Sequence, residues 1–186
     1  VACMVPPMLV ILDKEPTRSG YDFSSLRALY CGAAPLDAAT QTRIAEVFKA
    51  EVRQAYGTTE TSPIISVANV SRAKNTYGSV GKLVPNTTCK VVNDEKVEVP
   101  ASEGGELCIK GPQVMMGYLN RPDATKVALD AQGYYHTGDA AHLDEGGNIF
   151  IGDRKKDLIK VMGFQVAPAE LEGVTAAPSR PSLIAC

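Results

Sequence analysis

Tryptophan is missing from this 186-residue sequence, and histidine occurs only twice, as His136 and His142. Two histidines give little support to a histidine-based catalytic triad or metal cluster. Cysteine spacing forms neither a CxxC pair nor a Cys/His zinc pattern, and the number of cysteines is odd. We therefore interpret them as reduced thiols of an intracellular, cytoplasmic protein. The five are Cys3, Cys31, Cys89, Cys108 and Cys186.

Long apolar runs and an excess of charge of one sign are missing as well. No stretch approaches the roughly 20 apolar residues that a membrane span requires, and the first residues do not resemble a secretory signal. Nineteen Lys and Arg against 21 Asp and Glu give a formal net charge of −2, so any site for an anion must be local and nucleic acid is not an expected partner. The ending Leu-Ile-Ala-Cys is not a peroxisomal signal, although a full-length parent could carry one.

The first third of the sequence alternates in the way that is typical of an α/β fold. Residues 26–32 (LRALYCG) and 52–56 (VRQAY) predict buried strands, and residues 35–50 between them predict an amphipathic helix. This strand, helix, strand order implies a parallel crossover. The run MLVIL after Pro6 and Pro7 fits either a helix entered at a proline or a buried strand.

After about residue 70 the sequence changes to short strand-like runs, which are separated by turns rich in Gly, Asp and Glu. These runs predict a small antiparallel sheet or barrel, interrupted by a short helix over residues 122–129 (PDATKVAL). We therefore predict an α/β chain in three parts. The parts are an α/β subdomain over 1–68, a small antiparallel β-barrel over 69–153, and a further segment with an irregular tail over 154–186.

The segment YGTTETSP, residues 56–63, directly follows a predicted strand. Gly57 lets the backbone turn or approach a ligand closely, the threonines offer hydroxyls, and Glu60 offers a hard oxygen ligand. This combination suits a phosphate with Mg²⁺, where the carboxylate holds the metal and a hydroxyl contacts the phosphate. A strand-to-loop turn capped by a threonine explains the same residues, and the spacing alone does not separate the two interpretations.

Two further turns contain small residues that leave the backbone accessible. YCGAAP (30–35) lacks bulk, so a flat nucleobase could lie against its backbone, although a tight turn before the predicted helix explains it equally well. In HTGD (136–139), Asp139 follows Gly138, and a carboxylate beside exposed backbone is a common acceptor for two ribose hydroxyls. The alternative for this segment is an Asp turn between two strands.

Four cations lie close together in GDRKKDLIKVMGFQVAPAELE, residues 152–172. Charge runs usually form solvated faces, and we interpret Lys155 in that way. Arg154 and Lys160 are stronger candidates for anion contacts, because a guanidinium or ammonium group beside a phosphate or ribose is favoured once water is excluded. Arg154 is predicted to end one strand, and LIKVMG is predicted to form another that ends at Gly163.

Taken in order, five segments resemble the adenylate-forming enzymes, which include acyl-CoA synthetases, 4-coumarate:CoA ligases and beetle luciferases. The segments are GAAP, YGTTE, GELCIKGPQVMMGYLNRPDAT, YYHTGD and GDRKKDLIKVMGFQVAPAELE, and GFQVAPAELE is most similar to the 4-coumarate:CoA ligase-like group. The resemblance implies a ligase that uses MgATP to convert a small carboxylic acid to an acyl-AMP. It then implies transfer of the acyl group to the thiol of CoA.

The resemblance also implies roles for residues at matching positions. Tyr56 would stack beside the adenine, Asp139 and Arg154 would hold the ribose, Thr59 would contact phosphate and Glu60 would bind Mg²⁺. Small residues would complete the nucleotide site, and small and apolar residues would line the acyl pocket. The nucleotide set is Gly32, Ala33, Ala34 and Gly57, and the acyl set is Gly32, Gly57, Pro63 and Ile64.

By the same resemblance, the basic segment becomes a hinge and a nucleotide clamp. Lys156 falls at the hinge about which a small lid rotates between the two half-reactions. Lys160 and Gln165 match residues that serve the adenylate and thioester stages, so they join Thr59 as candidate catalytic residues. Gly163 matches a position in the family at which the backbone lies along the path of the CoA arm.

The resemblance implies that residues 1–68 are the C-terminal part of an AMP-binding subdomain and that 154–186 contain the hinge and the start of a lid. We expect a fragment, because the family's Ser/Thr/Gly-rich phosphate loop and most of the lid are not in the sequence. Met162 also stands where relatives often carry Lys. A truncated, self-associating protein that binds nucleotide without catalysis is one alternative. An adenylation module or a luciferase-like enzyme is another.

Overall fold

The computed structural model describes residues 1–15, 20–68, 76–152 in full, and 153–154, 159–161 and 164–166 by their backbone. The first of its sheets has five strands that follow one another in space as they do along the chain. β1, β2 and β3 run parallel, and β4 and β5 complete the sheet in antiparallel pairing. The strands are β1 (Ala2–Met4), β2 (Ala28–Cys31), β3 (Glu51–Gly57), β4 (Ile64–Val67) and β5 (Lys82–Leu83).

The two parallel connections of this sheet are helical. The MLVIL run lies in helix α1 (Pro6–Lys14), which has prolines in its first turn, where a missing N–H costs nothing. Helix α2 (Ala38–Phe48) begins later than predicted, because Asp37 caps it by accepting a 2.8 Å hydrogen bond from the Thr40 amide. Pro35 therefore precedes the helix. The predicted parallel crossover between β2 and β3 is confirmed.

One hydrophobic core lies between the helices and the first sheet. Leu9 of α1, Leu29 of β2, Ile44 of α2 and Val52 of β3 are all at most 1% exposed. Phe48, at the end of α2, packs edge-on against Phe23 with ring centroids 5.1 Å apart. The α/β class predicted for the first third of the chain is confirmed by this arrangement.

A second sheet of five strands is antiparallel throughout and has the order β10-β9-β8-β6-β7. The predicted antiparallel β-structure is therefore present, but among the described strands it forms an open sheet and not a closed barrel. The seven-residue helix α3 (Pro122–Ala128) connects β8 to β9, as predicted. The strands are β6 (Thr88–Val92), β7 (Glu98–Val99), β8 (Gly105–Lys110), β9 (Tyr135–Leu143) and β10 (Ile149–Arg154).

The two sheets are joined by backbone and by a shared core. Ile149 of β10 donates a 2.8 Å hydrogen bond to the Gly81 carbonyl and accepts one of 2.9 Å from the Val80 amide. Ile65 of β4 packs in one apolar cluster with Leu107 of β8 and with Ile149. These contacts fix the position of the end of β3 relative to β9.

Beyond β10, the strands β11 (Ile159–Val161) and β12 (Phe164–Val166) form a short antiparallel pair. Lys160 and Gln165 are directly opposite each other in this pair. Lys156 and Gly163 lie outside the described residues. Within the described part of the chain, no helix is long and apolar enough to cross a membrane.

Candidate functional site

The GAAP and YGTTE segments lie at the same edge of the first sheet. β2 and β3 are parallel, with Cys31 opposite Gln54, so both segments follow the carboxyl ends of neighbouring strands. At Gly32 the turn passes close to β3, where an added Cβ would lie 3.1 Å from the Ala55 carbonyl oxygen. Ala33 adopts a left-handed φ of 72°, and both alanines of GAAP are exposed. At this edge the GAAP turn therefore presents backbone and methyl groups.

The YGTTE turn is built around one glycine and two capping threonines. An added Cβ at Gly57 would lie 1.6 Å from the Pro63 carbonyl oxygen, so no larger residue fits without moving the chain. The buried hydroxyl of Thr61 lies 3.0 Å from the Thr58 carbonyl oxygen and 2.9 Å from that of Pro63, and it can donate a hydrogen bond to either. Capping by threonine is thus present, and it leaves Thr59 exposed at the tip. The same turn carries Ile64, which is 41% exposed.

Tyr56 and Asp139 meet across the junction of the two sheets. The Tyr56 hydroxyl donates a 2.5 Å hydrogen bond to Oδ2 of Asp139, a carboxylate that is 5% exposed. Burial, followed by the negative charge of Asp139 and this hydrogen bond, raises the pKa of Tyr56 far above that of free tyrosine. The hydroxyl is therefore neutral at physiological pH and remains a donor to the carboxylate.

The backbone around Asp139 is held by its neighbours in the HTGD segment. The Thr137 hydroxyl accepts a 3.1 Å hydrogen bond from the Asp139 amide and donates one of 2.8 Å to the Leu107 carbonyl. Gly138 has a φ of 74°, which a glycine adopts without strain. Arg154 lies directly opposite Asp139 in the β9–β10 ladder, so the two predicted ribose-binding residues occupy neighbouring strands.

Glu60 lies on the same turn and is surrounded by hydroxyl groups. Tyr118 donates a 2.7 Å hydrogen bond to its Oε1, and the hydroxyls of Thr58 and Tyr135 also interact with the carboxylate. Partial burial alone would raise the pKa of Glu60, but the hydrogen bonds, led by that from Tyr118, hold this pKa below its usual value. The carboxylate is therefore ionised at neutral pH, as a ligand for Mg²⁺ must be.

The chemistry of this donor set fits Mg²⁺ only in part. Mg²⁺ takes hard oxygen ligands, usually from one or two carboxylates together with phosphates and water, and Glu60 supplies one such carboxylate. In the described ranges, no group of three or more His, Cys, Asp or Glu side chains could hold a metal ion. The residues present therefore fit a metal that is brought with a phosphate ligand, and not an all-protein cage.

Sequence reasoning missed several residues that shape this site. Tyr118 and Tyr135 reach Glu60 from the GYLN and YYHTGD segments, and neither had been assigned a role. The buried amides of Gln41 and Gln54 were also missed. Gln54 Nε2 donates 2.8 Å to the Leu36 carbonyl and 3.0 Å to Gln41 Oε1, which fixes the chain just after GAAP. A signal was present, since Gln41 shares a helix face with the core residues of α2.

Residues from all five resembling segments lie around the junction of the two sheets, and comparison with known proteins agrees. The family model for AMP-binding enzymes matches residues 1–119. The chain therefore belongs to the AMP-binding enzyme family. This confirms the resemblance to adenylate-forming enzymes.

Among curated relatives, a 4-coumarate–CoA ligase from Pinus taeda is 43% identical over 183 residues, which are 95% of this chain and 34% of that protein. The chain thus spans about a third of the length of the curated relatives it matches.

Two solved structures have the same fold. ATP-bound MatB from Rhodopseudomonas palustris superposes with a TM-score of 0.83 at 30% identity, covering 96% of this chain and 36% of that one. The anthranilate CoA ligase AuaEII in complex with anthranoyl-AMP gives a TM-score of 0.83 at 26% identity, covering 91% of this chain and 32% of that one.

Proposed function

We propose that this chain is part of an AMP-forming acyl-CoA ligase. In the first half-reaction, a carboxylate oxygen attacks the α-phosphorus of ATP, and pyrophosphate leaves to give acyl-AMP. In the second, the sulfur of CoA attacks the acyl carbon, and AMP leaves with the thioester as product. Similarity to the pine ligase and to the acyl-adenylate-bound AuaEII supports this function. The observation that carries it is the hydrogen bond between Tyr56 and Asp139, close to the GAAP turn, whose Gly32 packs against Ala55.

The nucleotide would lie across the junction of the two sheets. Asp139 would accept hydrogen bonds from the ribose hydroxyls, and Arg154, opposite it in the ladder, would add a cation. The ring of Tyr56 would stack on the adenine while its hydroxyl stays on Asp139. The backbone of the GAAP turn, Gly32 with Ala33 and Ala34, would lie against the base and the acyl group.

The phosphates and the acid would lie along the YGTTE turn. Thr59, exposed at the tip of this turn, would donate to a phosphate oxygen. Glu60 would hold Mg²⁺, which neutralises charge that develops on the phosphates. The acyl group would enter beside Gly57, where the absence of a side chain leaves room, and would contact Pro63 and Ile64. Which carboxylic acid fits depends on this short apolar segment and on the rest of the parent protein.

We propose roles for residues in the segment 156–165 from its resemblance to the family. Lys160 and Gln165, which face each other across β11 and β12, would serve the adenylate and thioester stages. Lys156 would be the hinge of the lid, and Gly163 would lie along the path of CoA. The division into parts at 1–68, 69–153 and 154–186 likewise stays a prediction.

A non-catalytic nucleotide-binding protein that self-associates is the second candidate. Apolar side chains on the outer surface of α1 favour it, since Met8 is 49% and Ile11 is 65% exposed. Dimerisation that depends on concentration in sedimentation experiments, and that is lost in Ile11→Lys, would support this function. A monomer at all concentrations would contradict it.

The two candidates are separated by an activity measurement on this chain. We would incubate it with MgATP, CoA and a panel of aromatic and medium-chain acids, and follow pyrophosphate and CoA thioester together. A ligase produces both in equal amounts. Pyrophosphate without thioester would indicate an adenylation module or a luciferase-like enzyme, and neither product would favour the non-catalytic candidate for this chain.

A further inference from the structure

The loop between β8 and α3, residues 111–121, contacts the YGTTE turn through one residue of that turn. Tyr118 donates its hydroxyl to Glu60 Oε1 at 2.7 Å, and the Met115 amide donates to the Glu60 backbone carbonyl at 2.8 Å. Tyr118 and Glu60 are 58 residues apart in sequence. The loop therefore fixes both the backbone and the carboxylate of Glu60.

The position of Tyr118 is itself fixed by the start of α3. The Thr125 hydroxyl accepts a 2.9 Å hydrogen bond from the Tyr118 amide and donates one of 2.9 Å to the Arg121 carbonyl. At Gly117 an added Cβ would lie 2.7 Å from Thr125 Cγ2, so the loop can approach the helix this closely only through glycine. The backbone of GYLNRPDAT is thus held by Thr125, and it positions the Tyr118 hydroxyl against Glu60.

A carboxylate that binds a metal through one oxygen needs its side-chain rotamer fixed. An unrestrained glutamate loses rotamer freedom when it binds, which weakens the metal complex. Hydrogen-bond partners of a metal ligand remove this cost, and they also orient the lone pairs that face the metal. Tyr118 holds Oε1 of Glu60, and the hydroxyls of Thr58 and Tyr135 also interact with this carboxylate, so its orientation is restrained before a ligand binds.

We propose that Tyr118 is a positioning residue for Glu60, holding its carboxylate so that a divalent cation bound to nucleotide phosphates meets a preoriented oxygen. This inference rests on the proposed function, because it assigns Tyr118 to the same site. Tyr118 itself does not touch the cation.

The test uses Mn²⁺ and ATP as probes with the 186-residue chain. Tyr118→Phe keeps the ring and removes the hydroxyl, and Tyr21→Phe removes the hydroxyl of a tyrosine that is 70% exposed and is the matched control. Electron paramagnetic resonance of free Mn²⁺ in the presence of ATP gives the metal affinity. Calorimetry with AMP in EDTA gives binding that does not use the metal, and thermal melting reports on the fold.

In Tyr118→Phe we expect the Mn²⁺ affinity to fall about 10-fold, the lower end of the range for losing a hydrogen-bond partner of a metal ligand. AMP affinity in EDTA should stay within about twofold, because a split between the two readouts is the signature of a positioning role. Thr125→Val, which removes the acceptor of the Tyr118 amide, should lower Mn²⁺ affinity by a smaller factor. Tyr21→Phe should match the unmodified chain in both measurements.

Equal Mn²⁺ affinity in Tyr118→Phe and the unmodified chain would overturn the inference and leave the proposed function standing, provided that AMP binds. Equal losses of Mn²⁺ and AMP affinity would also overturn it, since Tyr118 would then only support the fold. If the unmodified chain binds neither Mn²⁺ with ATP nor AMP, the proposed function fails for this chain and the inference fails with it.

Discussion

The Tyr56 hydroxyl and the Asp139 carboxylate, 83 residues apart in sequence, form a 2.5 Å hydrogen bond at the junction of the two sheets. Tyr56 lies near the end of β3 in the first sheet, and Asp139 belongs to β9 of the second sheet. Each residue alone is compatible with an ordinary turn. Together they place an aromatic side chain beside a buried carboxylate, which is the arrangement on which the proposed nucleotide site depends.

Alkaline titration should reveal this contact. The pKa of Tyr56 is raised in the folded state, and burial raises that of Tyr135 to about 12. Both shifts favour the protonated, folded form, so their contribution to stability is complete below about pH 10 and is lost as pH rises above it. Absorbance at 295 nm should show late-ionising tyrosines, and Tyr56→Phe should remove one of them.

The free energy of unfolding in urea should fall between pH 10 and 12, and less steeply in Tyr56→Phe. A free energy of unfolding that does not depend on pH in this range would contradict the buried Tyr56–Asp139 pair. The same holds if Tyr56→Phe ionises as many tyrosines at high pH as the unmodified chain.

Gly57→Ala should be strongly destabilising. The new methyl group would need the space of the Pro63 carbonyl oxygen, 1.6 Å away, so the YGTTE turn must open. We expect a loss of about 3 kcal/mol or more in urea unfolding, the range of severe backbone clashes. Gly20→Ala is the matched control, because nothing lies within 4 Å of its added Cβ, and it should change stability by at most about 0.5 kcal/mol. Similar values for the two variants would refute the close approach.

Gln54→Leu tests the buried amides behind the GAAP segment. The leucine removes the partner of the Leu36 amide and carbonyl and of the Gln41 side chain, in a place where Gln54 is 2% exposed. Unsatisfied buried groups of this kind cost about 2–3 kcal/mol in unfolding free energy. Gln132→Leu, at an exposed glutamine, should stay within about 0.5 kcal/mol. A neutral Gln54→Leu would mean that this network does not hold the chain next to the GAAP turn.

Alkylation should discriminate among the cysteines. Burial raises the pKa of Cys31 to about 11 and that of Cys108 to about 12, and both thiols are inaccessible. Since the thiolate is the nucleophile, iodoacetamide at pH 8 should label the exposed Cys3 well before Cys31 and Cys108, which should stay unlabelled until the chain unfolds. Peptide mapping by mass spectrometry gives the rates. Labelling of Cys108 as fast as that of Cys3 would contradict its buried position.

Much of the fold was predictable because local signals agreed with it. A strand, a helix and another strand imply a parallel crossover, and two such strands bring the GAAP and YGTTE turns to one edge. Pro6 and Pro7 are compatible with both a helix and a strand for MLVIL, and packing of Leu9 into the core accompanies the helix. Asp37, unrecognised as a cap, moved the start of α2 to Ala38.

The contacts between distant segments were not predictable in the same way. Tyr56 meets Asp139, and Tyr118 meets Glu60, only because the second sheet docks against β4 through Ile65 and Ile149. Such packing depends on side chains far apart in sequence, and no local period encodes it. The chemistry of the two turns and the resemblance to adenylate-forming enzymes both indicated Asp139 and Glu60 as candidates, but the hydroxyl groups that hold them became visible only in the folded chain.

The most direct test of the account is calorimetric titration of the 186-residue chain with a non-hydrolysable acyl-adenylate mimic. Asp139→Asn keeps the size of the buried side chain and removes its charge, and Asp144→Asn, in an exposed turn, is the matched control. The account predicts saturable binding by the unmodified chain and by Asp144→Asn, and its loss in Asp139→Asn. Folded protein that binds nothing, or an Asp139→Asn variant that binds as well as the unmodified chain, would contradict the proposed nucleotide site.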